Sequence, residues 1–231
     1  MNQRRSPRNR LPTEPVRLEI TALNREGRGI GQVNGKLGLV DGALPDEVVT
    51  ASVVCRRSQF DELRVMEIER VSCNRINPLC QIADHCGGCS LQHLEPAAQL
   101  QFKQDLLIEQ LQETAGIAAT GFTLLPPIQG DSFRYRRKAR LAVRRVMQRG
   151  GALVGFREKY SRFITDMNDC LVLVPEAGRL IGPLREMISA LQANRDIPQV
   201  EVAVGETRTA AGISNVVALI IRHFKPFSGD D

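Results

Sequence analysis

Three cysteines, Cys80, Cys86 and Cys89, stand within ten residues in the run CQIADHCGGC. The spacing C-x5-C-x2-C lets two thiolates approach one metal centre from a single turn. Gly87 and Gly88 carry no side chains, so the backbone between the last two cysteines can bend sharply and come close to an inorganic sulfide. Because the chain has only six cysteines, this grouping predicts a metal site.

A fourth ligand must come from elsewhere, and the candidates are Cys73, Cys170, His85 and His93. Cys170 lies between the turn-like TDMND and the apolar LVLV, a loop position beside a strand, and we favour it. Cys73 is the alternative, and the two histidines are interpreted as surface or supporting groups. A three-plus-one pattern favours a [4Fe–4S] cluster over zinc, whose sites usually pair two knuckles. Buried thiols without a metal are the remaining alternative.

Residues 134–149 hold eight Lys and Arg and no acidic residue, whereas the whole chain carries a net charge of +5. We predict a strand over residues 133–144, in which side chains alternate between two faces. One face then carries five cations, which are Arg134, Arg136, Lys138, Arg140 and Arg144. Arginine forks suit phosphates and stack on splayed bases, so the strand indicates RNA binding. The alternative is a solvated edge strand whose charges prevent aggregation.

The segments before these motifs predict a small β domain. Residues 1–12 form a basic arm that we expect to be disordered, and residues 13–71 contain five short strand-like runs. An Asn34-Gly35 pair suits a tight hairpin. This pattern favours a closed barrel of the oligonucleotide-binding type, with an SH3-like barrel as the alternative. Residues 72–95, the cysteine knuckle, are too short and polar to order without a metal.

Residues 96–231 predict a mixed α/β central domain. A helix begins at Pro96 and ends near Ala115. A β-hairpin around Gly150, a further helix and two final strands follow. The predicted fold class is therefore α+β: a small barrel, the cysteine knuckle, and a central domain in which Cys170 completes the cluster.

Composition excludes several classes of protein. No apolar run approaches the ~20 residues of a membrane span. The N-terminus lacks the apolar stretch of a secretory signal. We therefore expect a cytoplasmic protein with no membrane partner, where reduced cysteines favour metal binding over disulfides. We also expect a monomer.

The order of these motifs resembles the bacterial 23S rRNA (uracil-5-)-methyltransferases, the iron–sulfur members of the RNA uracil-C5 methyltransferase family. The resemblance lies in the barrel followed by CQIADHCGGCSLQHLEPAAQLQFKQDLL, FRYRRKARLAV and GFREKYSRFITDMNDCLVL. It implies that the barrel is a TRAM domain, a barrel associated with RNA binding. It also implies that Cys80, Cys86, Cys89 and Cys170 hold a [4Fe–4S] cluster.

The resemblance further implies methyl transfer from S-adenosylmethionine to C5 of a uracil in 23S rRNA, with a tRNA uridine open as the alternative target. In that reaction a cysteine thiolate adds to C6, C5 attacks the methyl group, and a base removes the C5 proton. RNA contacts are expected from the basic strand, at Arg134, Arg136, Arg137, Lys138 and Arg140.

Members of the family continue into a Rossmann-like domain that binds S-adenosylmethionine and carries the nucleophilic cysteine. We find no Gly-rich loop of that type. We therefore expect the RNA-binding and cluster-binding front half, inactive alone and without catalytic or S-adenosylmethionine-binding residues. Ser72-Cys73-Asn74 resembles the run around the family's nucleophile, but its place between barrel and knuckle argues against that role. The alternatives are a free-standing, non-catalytic RNA-binding metalloprotein and a small redox carrier.

Overall fold

The computed structural model describes residues 14–146, 148, 150–209, 212–229 and 231. The chain divides into two compact units, residues 1–79 with 90–124 and residues 80–89 with 125–231. Each unit has its own apolar core. The predicted basic arm, residues 1–12, lies outside the described residues.

The first unit is built on one six-stranded sheet. Its strands are β1 (Val16–Glu19), β2 (Ala22–Leu23), β3 (Gly29–Val33), β4 (Lys36–Asp41), β5 (Val48–Arg56) and β6 (Phe60–Arg70). They lie in the order β1-β5-β6-β4-β3-β2, and neighbours are antiparallel except for the parallel pair β4 and β6. Asn34 and Gly35 have φ of 50° and 79° and join β3 to β4, which confirms the predicted hairpin.

The sheet of the first unit packs alternate apolar residues into its core. Leu18, Val40, Val49 and Leu63 are all buried, and each contributes about 1.5–3 kcal/mol when it leaves water. The residues that alternate with them are more exposed: they are Arg17 and Glu19 in β1 and Leu37 and Leu39 in β4. The two-residue alternation of these strands therefore accounts for a sheet with one buried apolar face.

One buried ion pair closes the end of this sheet. The carboxylate of Glu47 is fully buried and accepts hydrogen bonds from Nε and Nη2 of Arg75, at 2.5 and 2.8 Å. It also accepts from the backbone amide of Leu44 at 2.8 Å. Burial raises the pKa of Glu47, but these hydrogen bonds outweigh it and leave the pKa below its ordinary value.

The first unit also contains helix α1 (Pro96–Glu113). Its start follows from the proline in the first turn and from Glu95, whose side chain accepts a hydrogen bond from the amide of Ala98. Gly116, at φ 67°, follows the end. The prediction of a helix from Pro96 to about residue 115 is therefore confirmed. None of its residues is buried, and neither α1 nor any other described helix has the length and apolarity that crossing a membrane requires.

The second unit is built on a four-stranded antiparallel sheet. Its strands are β7 (Lys138–Val146), β8 (Gly151–Gly155), β9 (Gln199–Thr209) and β10 (Gly212–Arg222). They lie in the order β10-β9-β7-β8. Two short helices, α2 (Pro175–Gly178) and α3 (Ile181–Ala190), connect β8 to β9. Ile181, Leu184 and Ile188 of α3 share the core with Val154 of β8.

The expected α+β fold class is wrong. The described residues form two curled sheets with few helices, and the four named strands of the region expected as a mixed α/β domain pair antiparallel. A mixed α/β domain needs crossover helices between parallel neighbours. Here α2 and α3 span only four and ten residues, and α1 belongs to the first unit.

Candidate metal centre and nucleic-acid interface

The cysteine-containing segment of residues 80–89 folds against the chain that follows β8. The amide of Gly87 donates to the carbonyl of Arg157 at 2.8 Å, and the amide of Lys159 donates to the carbonyl of His85 at 2.8 Å. A Cβ at Gly87 would lie 2.7 Å from that Arg157 oxygen. The turn therefore requires glycine at this position for a close backbone contact.

The second glycine of the turn packs between a ring and a thiol. A Cβ at Gly88 would lie 3.1 Å from the ring of Phe156 and 3.5 Å from Sγ of Cys86. The amide of Gly88 donates a hydrogen bond to that sulfur at 3.4 Å. Cys86 is buried in the core of the second unit. The CGGC turn (residues 86–89) thus presents its first thiol inward, beside an aromatic side chain.

All four cysteines predicted as ligands belong to the second unit. Cys170 packs against the same apolar core as Cys86. Burial raises the pKa of the Cys170 thiol, and the nearby thiols of Cys86 and Cys80 raise it further, although backbone hydrogen bonds oppose both effects. The thiols of Cys80 and Cys86 are therefore close enough to affect the pKa of Cys170, and Cys89 ends the same turn as Cys86.

The four cysteines offer thiolates, which are ligands of both zinc sites and iron–sulfur clusters. Among the described residues, no three His, Cys, Asp or Glu side chains converge closely enough to hold one metal ion. In an iron–sulfur cluster each thiolate binds a different iron, so the thiolates stand farther apart than around one ion. Four cysteines match a [4Fe–4S] cluster in ligand type and number, and the cluster itself stays a prediction.

Of the other candidate ligands, two belong to the first unit, and His85 lies in the cysteine segment beside Cys86. Cys73 is exposed and, like His93, belongs to the first unit. His85 is half exposed, and its Nδ1 lies 2.6 Å from the carboxylate of Asp84.

The basic strand begins later than predicted. β7 starts at Lys138, and from there Ala139, Leu141 and Val143 are buried, whereas Lys138, Arg140 and Arg144 are exposed. The alternation is therefore present only in the second half of the predicted strand. Residues 134–137 follow a different path, because they pair with the segment after Cys170.

Two of the predicted RNA contacts are held by protein groups. Arg137 donates from Nε to the carbonyl of Val204 at 3.2 Å and from Nη2 to Oδ1 of Asn215 at 3.0 Å. Arg134 donates from Nη1 and Nη2 to the two carboxylate oxygens of Asp169, at 3.1 and 2.7 Å. Neither guanidinium lines the pocket that is formed by the other three predicted cations.

The remaining three cations line one pocket with the CGGC turn. This open cavity of about 460 Å³ is bordered by Gly87, Gly88, Arg136, Lys138, Ala139, Arg140 and Phe156. Phe156 was not predicted, and its one signal in the sequence is its place before the basic residues Arg157 and Lys159. The pocket combines cations, an aromatic ring and close-packed glycine backbone.

The carboxylate of Glu201 partly neutralises the positive charge beside this pocket. Oε2 of Glu201 lies 3.7 Å from Nε of Arg140. The hydrogen bond from Arg222 lowers the pKa of Glu201 despite its burial, and Arg140 and Lys138 add to the effect. An ionised acid therefore competes with any anion that approaches Arg140.

Sequence comparison finds relatives over nearly the whole chain. The 23S rRNA (uracil(1939)-C(5))-methyltransferase RlmD of Hahella chejuensis is 39% identical over 224 residues, which are 97% of this chain and 48% of the relative. The enzymes of the same name from Acidithiobacillus ferrooxidans and Alkalilimnicola ehrlichii are each 42% identical, over 94% and 97% of this chain. The chain is similar to RNA uracil-C5 methyltransferases.

The chain spans about half the length of these methyltransferase relatives, 47–48% for the three described. No protein-family profile matches it. The expected enzyme class agrees with the relatives' names. The iron–sulfur cluster, the TRAM identity of the first unit, the monomeric state and the cytoplasmic location stay predictions.

A solved methyltransferase structure shares the fold. Pyrococcus abyssi tRNA (uracil-54, C5)-methyltransferase, in complex with S-adenosyl-L-homocysteine, superposes on 90% of this chain and 46% of its own, with a TM-score of 0.60 and 23% identity. The described fold therefore matches a methyltransferase structure. The expectation that a Rossmann-like catalytic domain is absent is not supported, and we correct it.

Proposed function

We propose that this chain serves the S-adenosylmethionine-dependent C5 methylation of a uracil in 23S rRNA, by binding the RNA and an iron–sulfur cluster. The similarity to enzymes named for that reaction supports the proposal. The observation that carries it is the pocket in which the CGGC turn, Phe156 and three cations meet. S-adenosylmethionine supplies the methyl group in this reaction.

The pocket suits the unpaired part of an RNA loop. Arg136, Lys138 and Arg140 can neutralise backbone phosphates, and the Phe156 ring adds an apolar wall. A uridine must leave its stack before C5 can react, at a cost of roughly a few kcal/mol. Cations that hold the flanking phosphates offset that cost. The six-stranded sheet of the first unit is proposed as a TRAM domain that adds RNA contacts.

We propose that Cys80, Cys86, Cys89 and Cys170 hold a [4Fe–4S] cluster. When bound, the cluster supplies a rigid cross-link and requires no electron transfer. Its ligands would join residues 80–89 to the loop before α2. The third ligand, Cys89, and the fourth, Cys170, are 81 positions apart in the chain. The cysteine segment, which borders the RNA pocket, would then be fixed to the loop whose backbone pairs with Arg136.

RNA affinity tests the binding part of this proposal. We expect Lys138→Ala and Arg140→Ala each to weaken binding to a single-stranded uridine-containing RNA and to reduce the salt slope by about 0.7 per lost phosphate contact. Arg195→Ala removes an exposed cation that does not line the pocket and serves as the matched control. Equal affinity and salt slope in all three variants and the unaltered chain would contradict the proposed interface.

Methylation of cellular RNA tests the reaction. Deletion of the encoding gene should remove 5-methyluridine from one site in 23S rRNA, as measured by mass spectrometry of rRNA digests, and the intact gene should restore it. An unchanged 23S rRNA with a lost 5-methyluridine in tRNA would redirect the substrate to tRNA. Unchanged methylation of both RNAs would favour the free-standing RNA-binding metalloprotein.

A further inference from the structure

Arg134 makes a dense set of contacts around the backbone of Cys170. Its two terminal nitrogens bind both carboxylate oxygens of Asp169, and Nη1 also donates to the carbonyls of Cys170 at 3.1 Å and Leu173 at 3.4 Å. Oδ1 of Asp169 accepts in turn from the amide of Cys170 at 2.7 Å. Arg134 and Asp169 therefore fix the backbone of Cys170 through both its amide and its carbonyl.

The backbone around Arg134 pairs with the segment after Cys170. The amide of Arg134 donates to the carbonyl of Leu171 at 2.8 Å, and the amide of Arg136 donates to that of Val172 at 3.0 Å. The carbonyl of Arg136 accepts from the amide of Val174 at 3.0 Å. Arg136, which borders the RNA pocket, is thus hydrogen-bonded to Val172 and Val174, which follow Cys170 in the chain.

The groups that Arg134 contacts are packed closely against Gly178. A Cβ at Gly178 would lie 2.4 Å from Oδ1 of Asp169, 2.9 Å from the carbonyl oxygen of Cys170 and 3.0 Å from Nη1 of Arg134. Arg134 itself adopts φ 57°, a left-handed backbone that costs energy for a non-glycine residue. A strained residue persists where its surroundings hold it, and here Asp169 and two carbonyls do so.

We propose that Arg134 is a positioning residue that holds Cys170 in place for the cluster and links the metal site to the segment that carries Arg136. This inference rests on the proposed function, in which Cys170 is the fourth ligand. Arg134 therefore contacts protein groups around Cys170. The sequence pattern had instead predicted it as an RNA contact. Its guanidinium is already neutralised by Asp169, so it adds little charge for phosphate.

The geometry explains why arginine is required. A guanidinium presents a planar fork that matches a carboxylate with two parallel hydrogen bonds and still has N–H groups for carbonyls. A lysine at the same position offers one ammonium group and cannot reach both carboxylate oxygens and both carbonyls in the same way. Charge alone should therefore restore the function of Arg134 only in part.

Iron retention tests the role directly. The chain is purified without oxygen, and the release of iron to a chelator is followed. We expect Arg134→Gln and Asp169→Asn each to lose iron roughly tenfold faster than the unaltered chain, and Arg134→Lys to be intermediate. The double variant should lose iron no faster than the worse single variant, because the two side chains act as one unit. Arg195→Gln is the control and should retain iron normally. Unchanged release from Arg134→Gln would overturn the inference.

The salt dependence of RNA binding separates positioning from RNA contact. Arg134→Gln should leave the salt slope unchanged, whereas Arg136→Gln should lower it by about 0.7. An equal loss of slope in both variants would return Arg134 to the RNA-contacting set and contradict the inference.

A measurement on metal-free chain tests the positioning of Cys170 by Arg134 separately from the proposed cluster. If the unaltered chain binds no iron, the cluster proposal fails. The rate at which a maleimide alkylates Cys170 then reports the position of this loop. Arg134→Gln and Asp169→Asn should speed that alkylation several-fold relative to Arg195→Gln. Equal rates in all variants would show that Arg134 does not hold Cys170, whatever the metal content.

Discussion

The guanidinium carbon of Arg136 lies 5.4 Å from the centre of the Phe156 ring. Nε of Arg136 also donates to the carbonyl of Lys138 at 3.0 Å, so the cation is directed along the start of β7. The same ring also lies close to the CGGC turn, at Gly88. Phe156 therefore connects the cysteine turn to the basic side of the pocket.

Replacement of the Phe156 ring should weaken RNA binding without changing the dependence of binding on salt. Phe156→Leu removes the cation–π contact to Arg136, which is worth about 0.5–1 kcal/mol at an exposed site. We expect a two- to fivefold loss of affinity for single-stranded RNA with an unchanged salt slope, measured by fluorescence anisotropy at several salt concentrations. Phe163→Leu alters an exposed phenylalanine outside the pocket and should have no effect. A changed salt slope in Phe156→Leu would contradict this explanation.

Removal of the competing acid should strengthen RNA binding. Glu201→Gln abolishes the negative charge 3.7 Å from Arg140, so Arg140 becomes more available to phosphate. We expect affinity at low salt to rise about two- to fivefold, because the exposed Arg140 loses one competing charge. Glu186→Gln removes an exposed acid on α3 and is the control. Affinity that stays the same or falls in Glu201→Gln would argue that Arg140 does not meet RNA.

A methyl group in the CGGC turn should disrupt the metal site. Gly87→Ala places a Cβ 2.7 Å from the carbonyl oxygen of Arg157, a backbone atom that cannot move aside locally. We expect a stability loss of about 1–3 kcal/mol and a clear fall in bound iron. Gly205→Ala meets no atom within 4 Å and should retain both stability and iron. Normal iron in Gly87→Ala would mean that the turn does not need its close contact.

The hairpin and first helix were predictable because local residues determine them. Asn34-Gly35 supplies the positive φ values of a tight turn, and Pro96 marks the start of α1. The exposed cations at Lys138 and Arg140 follow from two-residue alternation within one strand. These features depend on neighbours in sequence, where the pattern is informative.

The remaining features depend on contacts between distant residues. Arg134 lies in an apparently regular basic run, yet Asp169, 35 positions away, binds its guanidinium. Arg137 is likewise held by Val204, 67 positions away. The hairpin around Gly150 and the two final strands were predicted, but their union in one antiparallel sheet was missed, because a helix between two pairs of strands also suits a mixed α/β domain. No local pattern distinguishes these arrangements.

The buried pair of Glu47 and Arg75 should make the first unit sensitive to acid. The pKa of Glu47 in the folded chain lies below its ordinary value of about 4.5, so its contribution to stability is present above that pH. That contribution is lost as pH falls through the folded-state pKa. We expect Glu47→Gln to lower the free energy of unfolding at pH 7 by about 3 kcal/mol, since it breaks a buried pair.

The same variant should flatten the dependence of stability on pH below about 4.5, measured by denaturant unfolding. Glu69→Gln is the control, because Glu69 pairs with Arg17 at an exposed position and its loss should have much less effect at pH 7. A Glu47→Gln chain as stable as the control at pH 7 would contradict a role for the buried pair.

Iron and sulfide counts on anaerobically purified chain test the four-cysteine cluster most directly. The account predicts about four iron and four sulfide ions per unaltered chain. It predicts the same content in Cys73→Ser and a loss of most of both in Cys170→Ser. Equal iron in Cys170→Ser and the unaltered chain, or zinc in place of iron and sulfide, would contradict it.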